Sequence, residues 1–330
     1  MNIVITGGSG FLGQKLARAL LAQNGSNESC TRLLLADRVA GADLGDARMQ
    51  YAIGDTCDRA FVARLAAEAD VIYHLAAVVS SEAEADFDLG MRVNIDAARL
   101  LLDECRAAGR CPRVIFTSSV AVFGPSQAGV TIGDDSAVDP RSSYGMEKAV
   151  VELLVAEYSR RGFIDGLTLR LPTISVRPGL PNRAASSFAS SIIREPLSGQ
   201  AAVCPVPHDM ALWLLSPRRA IAALVHAGLL DTRGLGARRV INLPGLSVTV
   251  GEMLEALQIA GGEAARQLVS DVPDAAVEKI VASWPPAWND AMARALGFEG
   301  DATIGHIIDA FVSDDLPSQR ILRRETAGLA

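Results

Sequence analysis

The chain opens on Asn2-Ile-Val-Ile-Thr6, a short apolar run that breaks at once into Gly7-Gly8-Ser9-Gly10-Phe11-Leu12-Gly13. A helical pattern follows from Gln14 to Gln23, with Leu16, Ala19 and Leu20 on one face. Strand, glycine turn and helix in that order are the context a dinucleotide fingerprint requires. The glycines serve different ends. Gly7 makes the tight turn, Gly10 lets backbone approach a pyrophosphate, and Gly13 lets the helix pack close to the strand. The anion then sits at the helix N-terminus, where backbone N–H groups and the helix dipole attract it.

The next segments repeat the alternation. Thr31–Ala36 predicts a second strand ending at Asp37, and Gln50–Ile53 a third, followed by Gly54-Asp55. Residues 58–69 read as helix and Val71–Leu75 as a fourth strand, with Ala76-Ala77 beyond. A long amphipathic helix over Met91–Ala108 precedes the strand Arg113–Thr117. This alternation predicts an α/β fold, a Rossmann-type doubly wound parallel sheet with helices on both faces. Ligands of such sheets bind beyond the C-terminal strand ends, where Gly7, Asp37, Asp55, Ala76 and Ser118-Ser119 fall. An acid at the end of the second strand accepts both ribose hydroxyls and repels a 2′-phosphate, so Asp37 favours NAD over NADP. Arg38 beside it is the one cation that argues the other way.

Composition narrows the partners. The 330 residues are 49% hydrophobic and 21% charged, ordinary for a folded enzyme, and the net charge of −7 speaks against nucleic acid. Five scattered cysteines without a CxxC pair fit a reducing cytoplasm better than a disulfide framework or a zinc site. The four histidines have no metal-ligand spacing, so no metal is expected. The most apolar window, 61–80, contains Arg64, Glu68, Asp70 and His74 and is no membrane span. No signal peptide is expected either.

Ser142-Ser-Tyr144-Gly-Met-Glu-Lys148 starts a helical run, and residues four apart on a helix share a face. A lysine ammonium beside a phenol favours the phenolate, which makes Tyr144 a base suited to an alcohol proton.

With these residues in place the chain resembles the extended short-chain dehydrogenase/reductase family, in its epimerase/dehydratase-like branch. The matching motifs are Thr6-Gly7-x-x-Gly10-x-x-Gly13, Asp55, His74-Leu75-Ala76-Ala77, Asn94, Ser118-Ser119, Tyr144-x-x-x-Lys148 and Arg170-Leu171-Pro172, in that order over about the first 180 residues. The resemblance implies that Tyr144 is the general base and that Lys148 lowers its pKa while binding nicotinamide ribose. It implies that Ser119 holds the substrate hydroxyl, with Ser118 as the competing assignment. It also implies an NAD site built from Gly7, Gly10, Phe11, Leu12, Gly13, Asp37, Asp55, Leu75, Ala76, Ala77, Asn94, Tyr144, Lys148 and Pro172. Asn94 reads as a residue that holds a helix break and a water. A homodimer paired through the helices near 91–108 and 144–160 is implied as well.

Departures from the family pattern narrow the reaction. Val120 and Ala121 stand where the dehydratases carry acids, so water elimination is not expected. Ala211–Pro217 is apolar where many nucleotide-sugar members are not. The segment from Arg177 to Pro196 is dense in Ser, Asn and Arg. Arginine clamps carboxylates and Ser or Asn suits hydroxyls, which points to a small polyhydroxy acid. The resemblance extends here to dehydrogenases of four-carbon sugar acids and implies oxidation of D-erythronate at C2. Arg183 and Arg194 are candidate carboxylate ligands, and Ser80, Ser81, Ser119 and Tyr144 candidate hydroxyl contacts. The expected division is an NAD-binding domain over 1–176, with a returning strand near 239–243, and a smaller mixed α/β substrate lobe over 177–330. A nucleotide-sugar 4-epimerase and a non-catalytic dinucleotide sensor are the rival readings of the same fold.

Overall fold

In the computed structural model, which describes residues 1–23, 30–125, 131–180 and 184–321, the strands are Asn2–Thr6 (β1), Arg32–Asp37 (β2), Met49–Ile53 (β3), Val71–His74 (β4), Arg113–Ser119 (β5) and Asp165–Leu171 (β6). β1 buries Ile3, Val4, Ile5 and Thr6 in succession, the continuous burial of a strand covered on both faces. It pairs in parallel with β2 on one side and β4 on the other. With Val240–Asn242 added, the sheet has seven strands, in the order Val240–Asn242, β6, β5, β4, β1, β2, β3. The order of the strands reverses between β1 and β4, and a ligand crevice opens where parallel strands diverge in this way. This is the expected Rossmann-type sheet, with the returning strand at its edge.

Local chemistry sets the helices. Asp58 accepts the N–H groups of Ala60 and Phe61 and starts the helix Arg59–Ala67. The long helix expected over Met91–Ala108, with a break at Asn94, is composite: a π-helical turn that contains Asn94 covers Met91–Asp96, and an α-helix runs from Ala97 to Ala108 and ends on left-handed Gly109. Ser142 caps the helix Ser143–Arg160 by accepting the Gly145 N–H.

Two compact units result. The first comprises Met1–Val122, Ser142–Arg170 and Ile221–Ile241, and the second Phe123–Arg141, Leu171–Ala220 and Asn242–Ala330. The chain thus changes unit at 170/171, where the sequence suggested 176/177; residues 123–141 and 221–238 fall on the side opposite to expectation, while 239–241 of the expected returning strand falls with the first unit. The second unit holds a mixed three-stranded sheet of Leu246–Thr249, Ala211–Leu215 and Thr173–Ile174. Its core joins Ile192 and Ile193 of the helix Phe188–Leu197 to Leu254 and Leu257 of Val250–Arg266 and to Ile307 and Phe311 of Ile304–Asp314. Thr249 and Glu252 form a reciprocal capping box at the start of Val250–Arg266. Among the described residues, no helix is long and apolar enough to cross a membrane.

Candidate active site

The glycine turn leaves β1 at Thr6. Gly7 has φ +69°, and a Cβ there would lie 2.9 Å from the backbone nitrogen of Ala76, so glycine satisfies both the conformation and the approach of the β4 loop. A Cβ on Gly13 would come within 2.5 Å of Gly7 O, which makes it the contact of helix on turn. Gly10 precedes the helix Phe11–Ala22, which has no side-chain cap and no acid in its first turn. Phe11 and Leu12 therefore present backbone N–H groups and the positive end of the dipole at the strand ends, a cradle that suits a pyrophosphate.

A crevice of about 400 Å³ runs along these strand ends. Gly7, Gly10, Asp37, Asp55, Leu75, Ala76 and Ala77, all expected from sequence, line it together. Asp37 Oδ2 accepts the Ser9 N–H at 3.0 Å and Oδ1 that of Arg38 at 2.7 Å, which joins the second strand to the glycine turn. Asp55 accepts the Cys57 N–H at 2.9 Å, and this bond holds its carboxyl below the usual range. Arg38, Thr56, Val78, Glu82 and Arg92 also line the crevice; of these the sequence reading had singled out Arg38 alone. The arrangement fits a nicotinamide dinucleotide: an uncapped helix end, an acid at the end of the second strand, and a floor where a Cβ has no room.

Tyr144 and Lys148 share a face of the helix Ser143–Arg160, with the Lys148 ammonium 5.6 Å from the Tyr144 ring centre. The buried ammonium donates to Thr117 O at 3.0 Å and lies 4.7 Å from the Phe116 ring centre. Burial lowers its pKa to about 8, against the opposing pull of Glu147 and Glu152. The two serines of β5 point to opposite sides, as neighbours on a strand do. Ser118 is buried and donates to Glu152 Oε1 at 2.5 Å, and Glu152 is in turn paired with Arg170 at 2.6 Å. Ser119 is half-buried, and its hydroxyl accepts the Ala121 N–H at 3.2 Å. Ser118 is thus committed to the interior, and Ser119 is the more accessible of the two serines.

His74 is structural. Its Nδ1 shares a hydrogen with Thr6 Oγ1 at 2.7 Å, its ring stacks on Phe116, and burial, aided by the Lys148 charge, lowers its pKa to about 3. Asn94, expected to contact the cofactor, lies buried within the π-helical turn. Its Oδ1 accepts the Val78 N–H at 2.8 Å, and its Nδ2 donates to Val78 O at 3.1 Å and to Glu147 Oε2 at 2.6 Å. It braces the crevice wall from behind. Burial raises the pKa of Glu147, while the Asn94 hydrogen bond and Lys148 oppose that shift.

The remaining expected residues are spread out. Ser80 and Ser81 begin the short helix Ser80–Ala85, Ser80 being buried and Ser81 half-buried. Pro172 is buried just past β6. Arg183 lies outside the described residues. Arg194 departs from its expected role as a carboxylate ligand. Its guanidinium is 2% exposed, donating to Arg177 O at 2.6 Å and pairing with Glu195 at 2.7 Å. The apolar face of Phe188–Leu197 carried it inward, where Glu195 neutralises it. The burial of Glu147, Glu152 and Arg170, the last of them in the Arg170-Leu171-Pro172 motif, was not foreseen, because nothing in their spacing separates buried charges from surface ones.

The NAD-dependent epimerase/dehydratase family matches residues 3–219. D-erythronate dehydrogenase of Cupriavidus necator is 56% identical over 321 residues, 95% of this chain and 98% of that enzyme. The enzyme of the same name from Haemophilus influenzae is 46% identical over 96% of this chain and all of its own length, 100%. A crystal structure described as a nucleoside-diphosphate-sugar epimerase from Agrobacterium tumefaciens superposes with a TM-score of 0.90 at 42% identity, covering 96% of this chain and 95% of that one. The glycine turn, the strand-end crevice and the Tyr144/Lys148 pair are those of an oxidoreductase fold with a nicotinamide cofactor, and the chain belongs to the NAD-dependent epimerase/dehydratase family.

Proposed function

We propose that this protein oxidises D-erythronate at its C2 hydroxyl to the 2-oxo acid, with NAD as the acceptor. The observation that carries this reading is the near full-length identity to two dehydrogenases named for that substrate. A bound nicotinamide supplies the acceptor for the C2 hydride. The chain supplies the acid–base half: the Tyr144 phenolate takes the hydroxyl proton, and the carbon–oxygen bond becomes a carbonyl. The Lys148 ammonium stabilises that phenolate, and the Ser119 hydroxyl holds the reacting oxygen. NAD is favoured over NADP because a 2′-phosphate would meet the Asp37 carboxylate. Five free cysteines suit a cytoplasmic enzyme, and we take the acting form to be a homodimer.

The Agrobacterium structure's description favours a second reading, a sugar-nucleotide 4-epimerase. An epimerase regenerates its cofactor each cycle, whereas a dehydrogenase accumulates NADH. The test is NADH absorbance with added NAD and a panel of four- to six-carbon aldonic acids. Turnover should peak on D-erythronate and fall at least about a hundredfold in Tyr144→Phe. Absence of NADH with every acid would overturn the reading and move UDP-sugars without added cofactor to first place.

A further inference from the structure

Glu147 is fully buried beside Lys148, yet the proposed chemistry makes no use of it. Its Oε2 accepts from Asn94 Nδ2 at 2.6 Å, while its Oε1 makes no hydrogen bond. That oxygen lies against Gly90, where a Cβ would have no room. A buried carboxyl with one oxygen unsatisfied is costly, and a methionine of the same reach would fill the space more cheaply. An apolar residue would provide neither the acceptor for Asn94 nor a negative charge beside Lys148, and of the two only the acceptor reaches the crevice wall. The Asn94 amide has three hydrogen-bonding sites in use. Two grip the N–H and C=O of Val78 and the third is held by Glu147. Val78 lines the crevice directly after Leu75, Ala76 and Ala77. The same carboxyl therefore connects the helix carrying Tyr144 and Lys148 to the backbone of the crevice wall, through a π-helical turn that places Asn94 between them.

We propose that Glu147 is a positioning residue for the dinucleotide: it fixes the Asn94 amide, which fixes the Leu75–Val78 wall. The proposal rests on reading the crevice as a dinucleotide site and is independent of which alcohol is oxidised.

Two variants separate acceptor from shape. Glu147→Gln keeps an oxygen for Asn94, and Glu147→Met keeps the length without it. NAD dissociation constants, measured by calorimetry with no acid substrate present, should weaken about tenfold in the methionine variant and change less than about twofold in the glutamine variant. With the preferred acid, kcat at saturating NAD should stay within about threefold in both, the loss appearing in KM for NAD. Wild-type affinity in the methionine variant overturns the proposal, as does equal weakening in both variants. If the methionine variant does not fold, Glu147→Asp, whose carboxyl is withdrawn by one methylene, replaces it under the same criterion. Failure of the sugar-acid reading would leave these binding constants untouched.

Discussion

Lys148 keeps its ammonium inside the protein at 3% exposure, where burial opposes the charge and lowers its pKa to about 8 from an ordinary 10.5. Between those two values the unfolded chain holds a proton that the folded chain has released. Stability from this group therefore rises as pH climbs from about 8 towards 10.5, and below 8 the folded protein bears the full cost of the buried charge. Lys148→Met should remove that cost. We expect the variant to resist urea better than wild type at pH 7, by on the order of 2 kcal/mol. The gain should shrink as pH approaches 10, and turnover should fall at least about a hundredfold throughout. Urea melts that show the variant weaker at every pH would mean the ammonium's contacts with Thr117 and Phe116 outweigh its desolvation. At this scale the sequence was legible where spacing itself is chemistry, as with Tyr144 and Lys148 four apart or Asp37 closing a strand. It left Ser118 and Ser119 undecided, because alternation says that one faces inward without saying which. Glu152, which draws Ser118 inward, comes from another element. Arg194 misled for a related reason: a segment rich in arginine and serine looks the same whether its guanidinium meets a ligand or Glu195.

At the scale of the element, β1, the turn and the helix Phe11–Ala22 form one contiguous cradle that suits a dinucleotide. Gly13 keeps the helix against the turn, and an added Cβ would meet backbone atoms, Gly7 O at 2.5 Å and Gly8 Cα at 2.8 Å, which cannot rotate aside. Gly13→Ala should therefore push the helix N-terminus back from the crevice. A loss of about 1–3 kcal/mol in stability is expected from overpacking, with NAD affinity lowered at least about tenfold. Gly133→Ala is the control, since a Cβ there meets nothing within 4 Å and φ is not positive. Thermal melts and NAD titrations that place the two variants together would refute this account of the turn. This element was readable from sequence because strand, glycines and helix are contiguous. The helix expected over Met91–Ala108 was readable only in part: the resemblance put a helix break at Asn94, but the π-helical turn there coincides with Asn94 bonds to Val78 and Glu147, residues 16 and 53 positions away. No local periodicity carries such long-range bonds.

At the scale of the whole molecule the open matter is how copies of the chain associate. The helix Ser143–Arg160 buries one side under the sheet and leaves Met146, Val150 and Leu154 partly buried in a row, with Leu153 69% exposed beside them. That stripe lies on the helix carrying Tyr144 and Lys148, so covering it would also steady those two residues. We propose that a second copy covers it in an isologous dimer. In such an interface one substitution counts twice. Burying a leucine contributes about 2 kcal/mol, and losing two leucines to charged residues costs at least about 4 kcal/mol, near a thousandfold in dimer affinity. Light scattering after size exclusion should give twice the chain mass for the wild type and one chain mass for Leu153→Glu at the same micromolar loading. The variant should keep its fold, because Leu153 touches solvent and not the core. A wild type that runs as a monomer would place the exposed leucine among ordinary surface residues, and a variant that stays dimeric would move the interface to another face.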